Sequence, residues 1–168
     1  MTDKIYNVLF ICTANSARSI MAEVILNQLG GGRFKAFSAG SNPSGALHPL
    51  TLEVLASKCY DIGGLRSKSW TEFARPGAPA MDFIFTVCDA AALEACPAWP
   101  GQPITAQWGF TDPAATIGDH ARQLKAFTTA QFEIANRIRL FLSLPIDRID
   151  RLSLQTRLRD FDASQSIN

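Results

Sequence analysis

The chain is poor in the groups that most often announce chemistry: of 168 residues only two are histidine, two are tyrosine, and 18% are charged. The two histidines stand apart, His48 beside Pro49 and His120 beside Asp119, so they supply neither a metal set nor a triad and read as surface or capping residues. A formal net charge of +1 leaves no broad basic face, which argues against nucleic acid as a partner. Long apolar runs are missing too. The stretch from Ile5 to Ile11 is too short to span a bilayer and no cleavage site follows it, so no membrane role is expected and the protein reads as cytoplasmic. Four cysteines in such a chain read as reactive or buried thiols rather than a disulfide framework. With 47% apolar residues and this length, one compact unit can bury a full core.

What the sequence does have is concentrated between Val8 and Ser19. An apolar strand, Val8-Leu9-Phe10-Ile11, runs into Cys12, then into the small-residue loop Thr13-Ala14-Asn15-Ser16-Ala17, then into Arg18-Ser19 at the start of a helical pattern. Backbone N–H groups of a tight loop at a helix N-terminus converge on one point and carry the positive end of the helix dipole, which suits a tetrahedral oxyanion. Cys12 would lie at the centre of that cradle, with its thiol pKa drawn down from about 8.5 to roughly 3.5–7.5 by the field. Arg18 offers a planar fork that grips two oxygens, and Ser19 fits either as a hydroxyl partner of the sulfur or as a helix N-cap. Cys12 and Arg18 are thus candidate catalytic groups, and residues Thr13, Ala14, Asn15, Ser16, Ala17, Arg18 and Ser19 form the candidate substrate-binding loop.

The rest of the chain alternates strand and helix patterns. Residues 4–11 read as a strand covered on both faces, Ser19 to Leu29 as a helix closed by Gly30-Gly31-Gly32, and 33–39 as a second strand. A helix opens at Pro49, with Leu52, Leu55, Ala56 and Cys59 on one face, which makes Cys59 a core residue. Residues 82–87 and 103–107 read as the third and fourth strands, delivering Cys88 and Asp112 to the same end of the sheet as Cys12. Leu124, Phe127, Ile134, Ile138 and Phe141 mark a long amphipathic helix over 118–143, ended by Pro145. These patterns predict an α/β fold. It is a single three-layer domain with a parallel sheet of about four strands, helices on both faces and the oxyanion loop after the first strand. Residues 1–144 form the catalytic domain, and 145–168 a short helical extension.

Cys12 to Ser19, CTANSARS, resembles the C-x5-R-S loop of the low-molecular-weight tyrosine phosphatase superfamily, and within it the arsenate reductase branch. The resemblance implies that Cys12 attacks phosphate or arsenate, that Arg18 binds the oxyanion, and that Asp112, in Thr-Asp-Pro, is the general acid. It also implies that the pair Cys88 and Cys96 acts in series after Cys12, passing a disulfide outward to an external thiol reductant, either thioredoxin or glutathione with glutaredoxin. No tightly bound cofactor is expected; phosphate and sulfate should bind as analogues of arsenate. The spacing Cys88-x7-Cys96 is one residue longer than in the motifs of that branch. Ala114 and Ala115 follow Asp112 where the phosphatases usually carry tyrosines. Some members of the branch hold potassium through residues matched here by Asn15, Glu23 and Ser38. Their carboxylate just after the segment matching Arg66 to Ser69 is replaced by Trp70 and Thr71. The resemblance has that segment approaching the oxyanion loop, whereas its two cations alone would suit a solvated turn.

Two other functions use the same residues. A phosphomonoester phosphatase would use Cys12, Arg18 and Asp112 and leave Cys88 idle; a thiol-based arsenic or redox sensor would bind without turnover. Residues Ala90 to Ala95 are strong helix formers, and a helix there would hold the Cα atoms of Cys88 and Cys96 about 12 Å apart, too far for a disulfide unless it unwinds.

Overall fold

The computed structural model describes residues 4–88, 97, 99–148 and 151–165, with side chains to residue 161. Along the chain these form β1 (Tyr6–Cys12), α1 (Arg18–Leu29), β2 (Phe34–Gly40), α2 (Pro49–Ser57) and α3 (Thr71–Ala74). Then come β3 (Phe83–Thr86), β4 (Ile104–Gln107), α4 (His120–Leu142) and α5 (Arg151–Gln165). The helix expected over 90–95, and with it Cys96, lies outside the described residues.

The four strands form one parallel sheet in the order β2-β1-β3-β4, so β1 is central and its C-terminal end is flanked on both sides. Successive side chains of a strand point to opposite faces, and Val8, Leu9, Phe10 and Ile11 are all essentially buried, so both faces of β1 are covered. On one face Phe10, Phe34, Phe83 and Phe85 meet Trp108 and Phe141 of α4; Phe85 and Trp108 stack at 3.9 Å, and Phe141 stands edge-on to Phe83 at 5.1 Å. On the other, Phe37 meets Phe73 of α3. Each such buried side chain contributes about 1.5–3 kcal/mol, which makes β1 a rigid mount for the loop at its C-terminal end.

Helix α1 buries Ser19, Ile20, Met21, Ala22, Val24, Ile25 and Leu26, more of its circumference than a single-faced pattern predicts, because it packs against both the sheet and α4. Helix α2 departs from expectation. It ends at Ser57, Lys58 closes it, and Cys59 takes a left-handed φ of 62°, which turns its side chain out to solvent. The buried face is Leu50, Thr51, Val54 and Leu55, so Cys59 is an exposed thiol and not a core residue.

Beyond Pro145 the chain docks on the body. Leu154 and Leu158 of α5 are buried against the β4 side, and the Trp108 indole N–H donates to the Leu158 carbonyl at 3.0 Å. Among the described residues no helix is long and apolar enough to cross a membrane.

Candidate active site: a thiol in an oxyanion loop

The loop from Cys12 to Ala17 is held by its carbonyls. The Cys12, Thr13, Ala14 and Ser16 carbonyls accept from the N–H groups of Ser41, Asn42, Ser44 and His48, at 3.1, 2.9, 2.9 and 3.1 Å. The hydroxyls of Ser67 and Thr51 donate to the Ala14 and Ser16 carbonyls as well, at 3.1 and 2.9 Å. In a trans peptide the N–H points opposite to the preceding C=O, and no cis bond is present among the described residues. With the carbonyls drawn outward, the N–H groups of Thr13, Ala14, Asn15 and Ala17 therefore face inward, around the sulfur. The Asn15 N–H shows this directly, donating to Cys12 Sγ at 3.3 Å.

Two backbone features make the loop possible. Asn15 is fully buried with φ of 50°, a left-handed conformation that asparagine tolerates better than most residues. Gly40, at the end of the neighbouring strand, leaves room for it: a Cβ there would lie 2.4 Å from the Thr13 carbonyl oxygen and 3.0 Å from the Asn15 Cβ.

Cys12 is buried at 3% exposure, with Sγ 2.9 Å from the Ser19 hydroxyl. The Asn15 side-chain amide donates to Ser19 Oγ at 2.8 Å, which leaves the Ser19 proton to point at the sulfur. Ser19 is therefore the sulfur's partner; the N-cap of α1 is Ala17, with no side-chain cap. Burial is the largest influence on the Cys12 thiol and pushes its pKa up; the Ser19 hydroxyl and the Ser19 and Asn15 N–H groups pull it down, and Cys88 pushes it up again. The net direction is upward, opposite to the fall that the loop context predicts, because desolvation of a thiolate outweighs the hydrogen bonds offered to it.

Arg18 reaches across to the other flank. Its guanidinium donates to the Phe110 carbonyl at 2.9 Å and lies 3.6 Å from the Asp112 carboxylate. Asp112 is partly exposed and accepts from the Ala114 N–H at 3.0 Å, which fixes it at the mouth of the loop above the short 3-10 turn Pro113–Ala115. Cys88 follows β3 after Val87, is 1% exposed, and approaches the Thr13 hydroxyl at 3.7 Å. Cys12, Thr13, Asn15, Arg18, Ser19, Cys88 and Asp112 thus meet at one end of the sheet, as the sequence predicts. His48 caps α2 through the Leu50 N–H, and His120 sits on the surface beside Glu53.

Three contributors lie outside the residues that the sequence singles out as the site. Gly40 is one. Arg137 of α4, fully buried, lies over the rings of Trp108 and Phe110 at 5.6 and 5.2 Å, beneath the carbonyl that holds Arg18. Lys68 is the third, and it settles whether the residues present fit a potassium ion. Its ammonium stands 3.4 Å from Ser38 Oγ, 3.7 Å from Glu23 Oε1 and 3.0 Å from the Arg66 carbonyl, with only 8% of the side chain exposed. The oxygens of Glu23 and Ser38 already face a cation that belongs to the chain, so they do not fit a second one. Burial pushes the pKa of Lys68 down and Glu23 opposes it. Arg66 points away, paired bidentately with Glu72 at 2.8 and 2.7 Å.

The model of low molecular weight phosphotyrosine protein phosphatases matches residues 7–107, and the chain belongs to that family. Within it, the chain is similar to several arsenate reductases. It is 33% identical to the arsenate reductase of Bacillus subtilis (strain 168) over 134 residues, 80% of this chain and 93% of the relative. It is 28% identical to the glutaredoxin arsenate reductase of Synechocystis sp., over 78% of this chain and 92% of that one. A solved arsenate reductase in the phosphate binding state superposes with a TM-score of 0.67 at 26% identity, covering 83% of this chain and 98% of that one.

Proposed function

We propose that the protein reduces arsenate to arsenite through a relay of thiols. The observation that carries this reading is Cys88: a second buried thiol ends the strand beside β1 and lies within 3.7 Å of the loop hydroxyl of Thr13, where a phosphatase needs none. Arsenate enters the ring of inward N–H groups with Arg18 gripping two of its oxygens. The Cys12 sulfur forms a bond to arsenic, one As–O bond breaks, and the oxygen departs as water. The thiol proton of Cys12 balances that water, and Asp112 at the mouth relays it. Cys88 then attacks the Cys12 sulfur. The S–As bonding pair passes to arsenic, which falls from As(V) to As(III) and leaves as arsenite, while Cys88 gives up its proton and a Cys12–Cys88 disulfide forms. Attack by Cys96 on Cys88 frees Cys12 and moves the disulfide to Cys88 and Cys96. An external thiol reductant, thioredoxin or glutathione with glutaredoxin, returns two electrons.

Thiols that must start reduced suit the cytoplasm, where this protein is placed by the same reading. Residues 1–144 carry the machinery and 145–168 are an extension clipped to it. The test is arsenate-dependent NADPH oxidation, run with thioredoxin and its reductase and separately with glutathione and glutaredoxin. Turnover in either is the expected result. Hydrolysis of an aryl phosphate with no arsenate-dependent oxidation in both would replace the proposal by a phosphatase, and arsenic binding without turnover by a sensor.

A further inference from the structure

The oxygens that some members of the family give to potassium are here turned on a lysine. The Lys68 ammonium donates to the Arg66 carbonyl at 3.0 Å and to Ser38 Oγ at 3.4 Å, and Glu23 Oε1 stands at ion-pair distance, 3.7 Å. Ser38 donates its own proton to Glu23 Oε1 at 2.8 Å, which leaves a lone pair for the ammonium. Ser38 is fully buried, and only 15% of the Glu23 side chain is exposed. This is a closed ion pair beside the loop.

The same residue is wired to the nucleophile. The backbone N–H of Lys68 donates to Asn15 Oδ1 at 2.9 Å, Asn15 Nδ2 donates to Ser19 Oγ at 2.8 Å, and Ser19 Oγ lies 2.9 Å from Cys12 Sγ. An isolated bridge pairs Gly40 with Ser69, and the Gly40 and Trp70 N–H groups donate to the Lys68 and Gly40 carbonyls, so the segment carrying Lys68 is laid along β2 as a short extra rung. Fixing the ammonium fixes Asn15, and Asn15 both holds Ser19 and gives its own N–H to the sulfur.

We propose that Lys68 is a positioning residue whose ammonium is the built-in cation of this loop, holding Asn15, Ser19 and Cys12 in place and making the site independent of soluble potassium. The proposal concerns the loop itself and is read without arsenate turnover, so it stands or falls apart from the assigned reaction.

The experiment compares the full chain in potassium chloride and in choline chloride at equal ionic strength. The readouts are the pH profile of Cys12 alkylation by iodoacetamide, with Cys59, Cys88 and Cys96 replaced by serine, and the thermal shift caused by sulfate. Wild-type protein should give the same profile and the same shift in both salts. Lys68→Met keeps the aliphatic stem and removes the charge. In choline its alkylation midpoint should move upward and its sulfate shift should shrink at least twofold, and potassium should restore both, because Glu23 and Ser38 are then free to take the ion. Potassium dependence in the wild-type protein overturns the proposal, whatever the variant does. A Lys68→Met protein identical to wild type in choline overturns it, as does one impaired equally in both salts, for then Lys68 is only a strut. Should Lys68→Met not fold, Lys68→Arg keeps the charge and is expected to remain indifferent to potassium; dependence there refutes the claim.

Discussion

The two flanks of the oxyanion loop are built differently. On the β2 flank the N–H groups of Ser41, Asn42, Ser44, His48 and Lys68 and the hydroxyls of Thr51 and Ser67 all bond to the loop, most of them to backbone carbonyls. On the β3 and β4 flank the links are side-chain tips: Thr13 hydroxyl to Cys88 at 3.7 Å, Arg18 to the Phe110 carbonyl at 2.9 Å and to Asp112 at 3.6 Å. The β2 flank fixes the backbone of the loop. The other carries Cys88, a sulfur that in the proposed relay has to approach, bond and leave. The contrast teaches that preorganisation and exchange are kept apart by assigning them to opposite neighbours of one central strand.

The comparison breaks most completely at the sulfurs. Cys12→Ser should abolish arsenate reduction and any hydrolysis of an aryl phosphate, since both begin at that atom. Cys88→Ser should abolish reduction alone, leaving aryl phosphate hydrolysis within about threefold, an effect far below the 10²–10⁴ that loss of a reacting group costs. Reductase turnover retained by Cys88→Ser with thioredoxin as sole reductant would sink the relay.

Next in size comes the β2 flank. Gly40→Ala puts a Cβ against the Thr13 carbonyl oxygen at 2.4 Å, backbone that cannot swing aside, and overpacking of that kind costs about 1–3 kcal/mol or somewhat more. Urea denaturation should show it, together with a loss of the thermal shift caused by sulfate. Arg18→Lys keeps the charge and loses the fork. It should lower kcat/KM for arsenate by about tenfold to a hundredfold, as expected for a charge-assisted bond worth about 1.5–3 kcal/mol. Protection by sulfate, RT ln(1 + [L]/Kd), should fall with it, and equal shifts in the two proteins would remove Arg18 from the cradle.

The smallest effect sharpens the comparison. Ser19→Ala deletes a donor to the Cys12 sulfur, and that donor pulls the thiol pKa down against burial. The alkylation profile of Cys12 should therefore move to higher pH, with little change in stability beyond about 1 kcal/mol. The same balance sets the sign for the wild type. A thiol whose folded pKa is raised favours the folded state below its unfolded pKa, and that contribution is lost as the pH rises through the folded value. Alkylation of native Cys12 should accordingly lag behind that of Cys12 in the urea-unfolded chain as the pH is raised.

Much of the fold and site is legible in the chain because local pattern and global fold agree. The apolar run of β1, the glycines after Leu29 and the Cys12-x5-Arg18 spacing each point to one arrangement, and Asp112 and Cys88 fall into place because strand ends meet on one side of a parallel sheet. The illegible parts depend on burial or on a single backbone angle. Cys59 continues a helical face in the sequence, yet one left-handed residue ends the helix and exposes it. The motif alone gives the wrong direction for the thiol pKa, because dipoles are visible in a motif while desolvation is visible only in a fold. Lys68 and Arg66 look alike as loop cations; only the rung beside Gly40 turns one inward and leaves the other with Glu72.

The placement of Phe141 has a consequence for biosynthesis. A ribosome delivers Cys12 and the whole β2 flank first, then Cys88, Cys96 and Asp112, and only near the end the helix whose Phe141 closes over Phe34, Phe83 and Phe85. Chains fold from the N-terminus as they emerge, at about 5–20 residues per second, but a sheet with one face bare gains little from its early strands. In the relay proposed above, Cys12 is thus enclosed only after both thiols that would follow it have been synthesised.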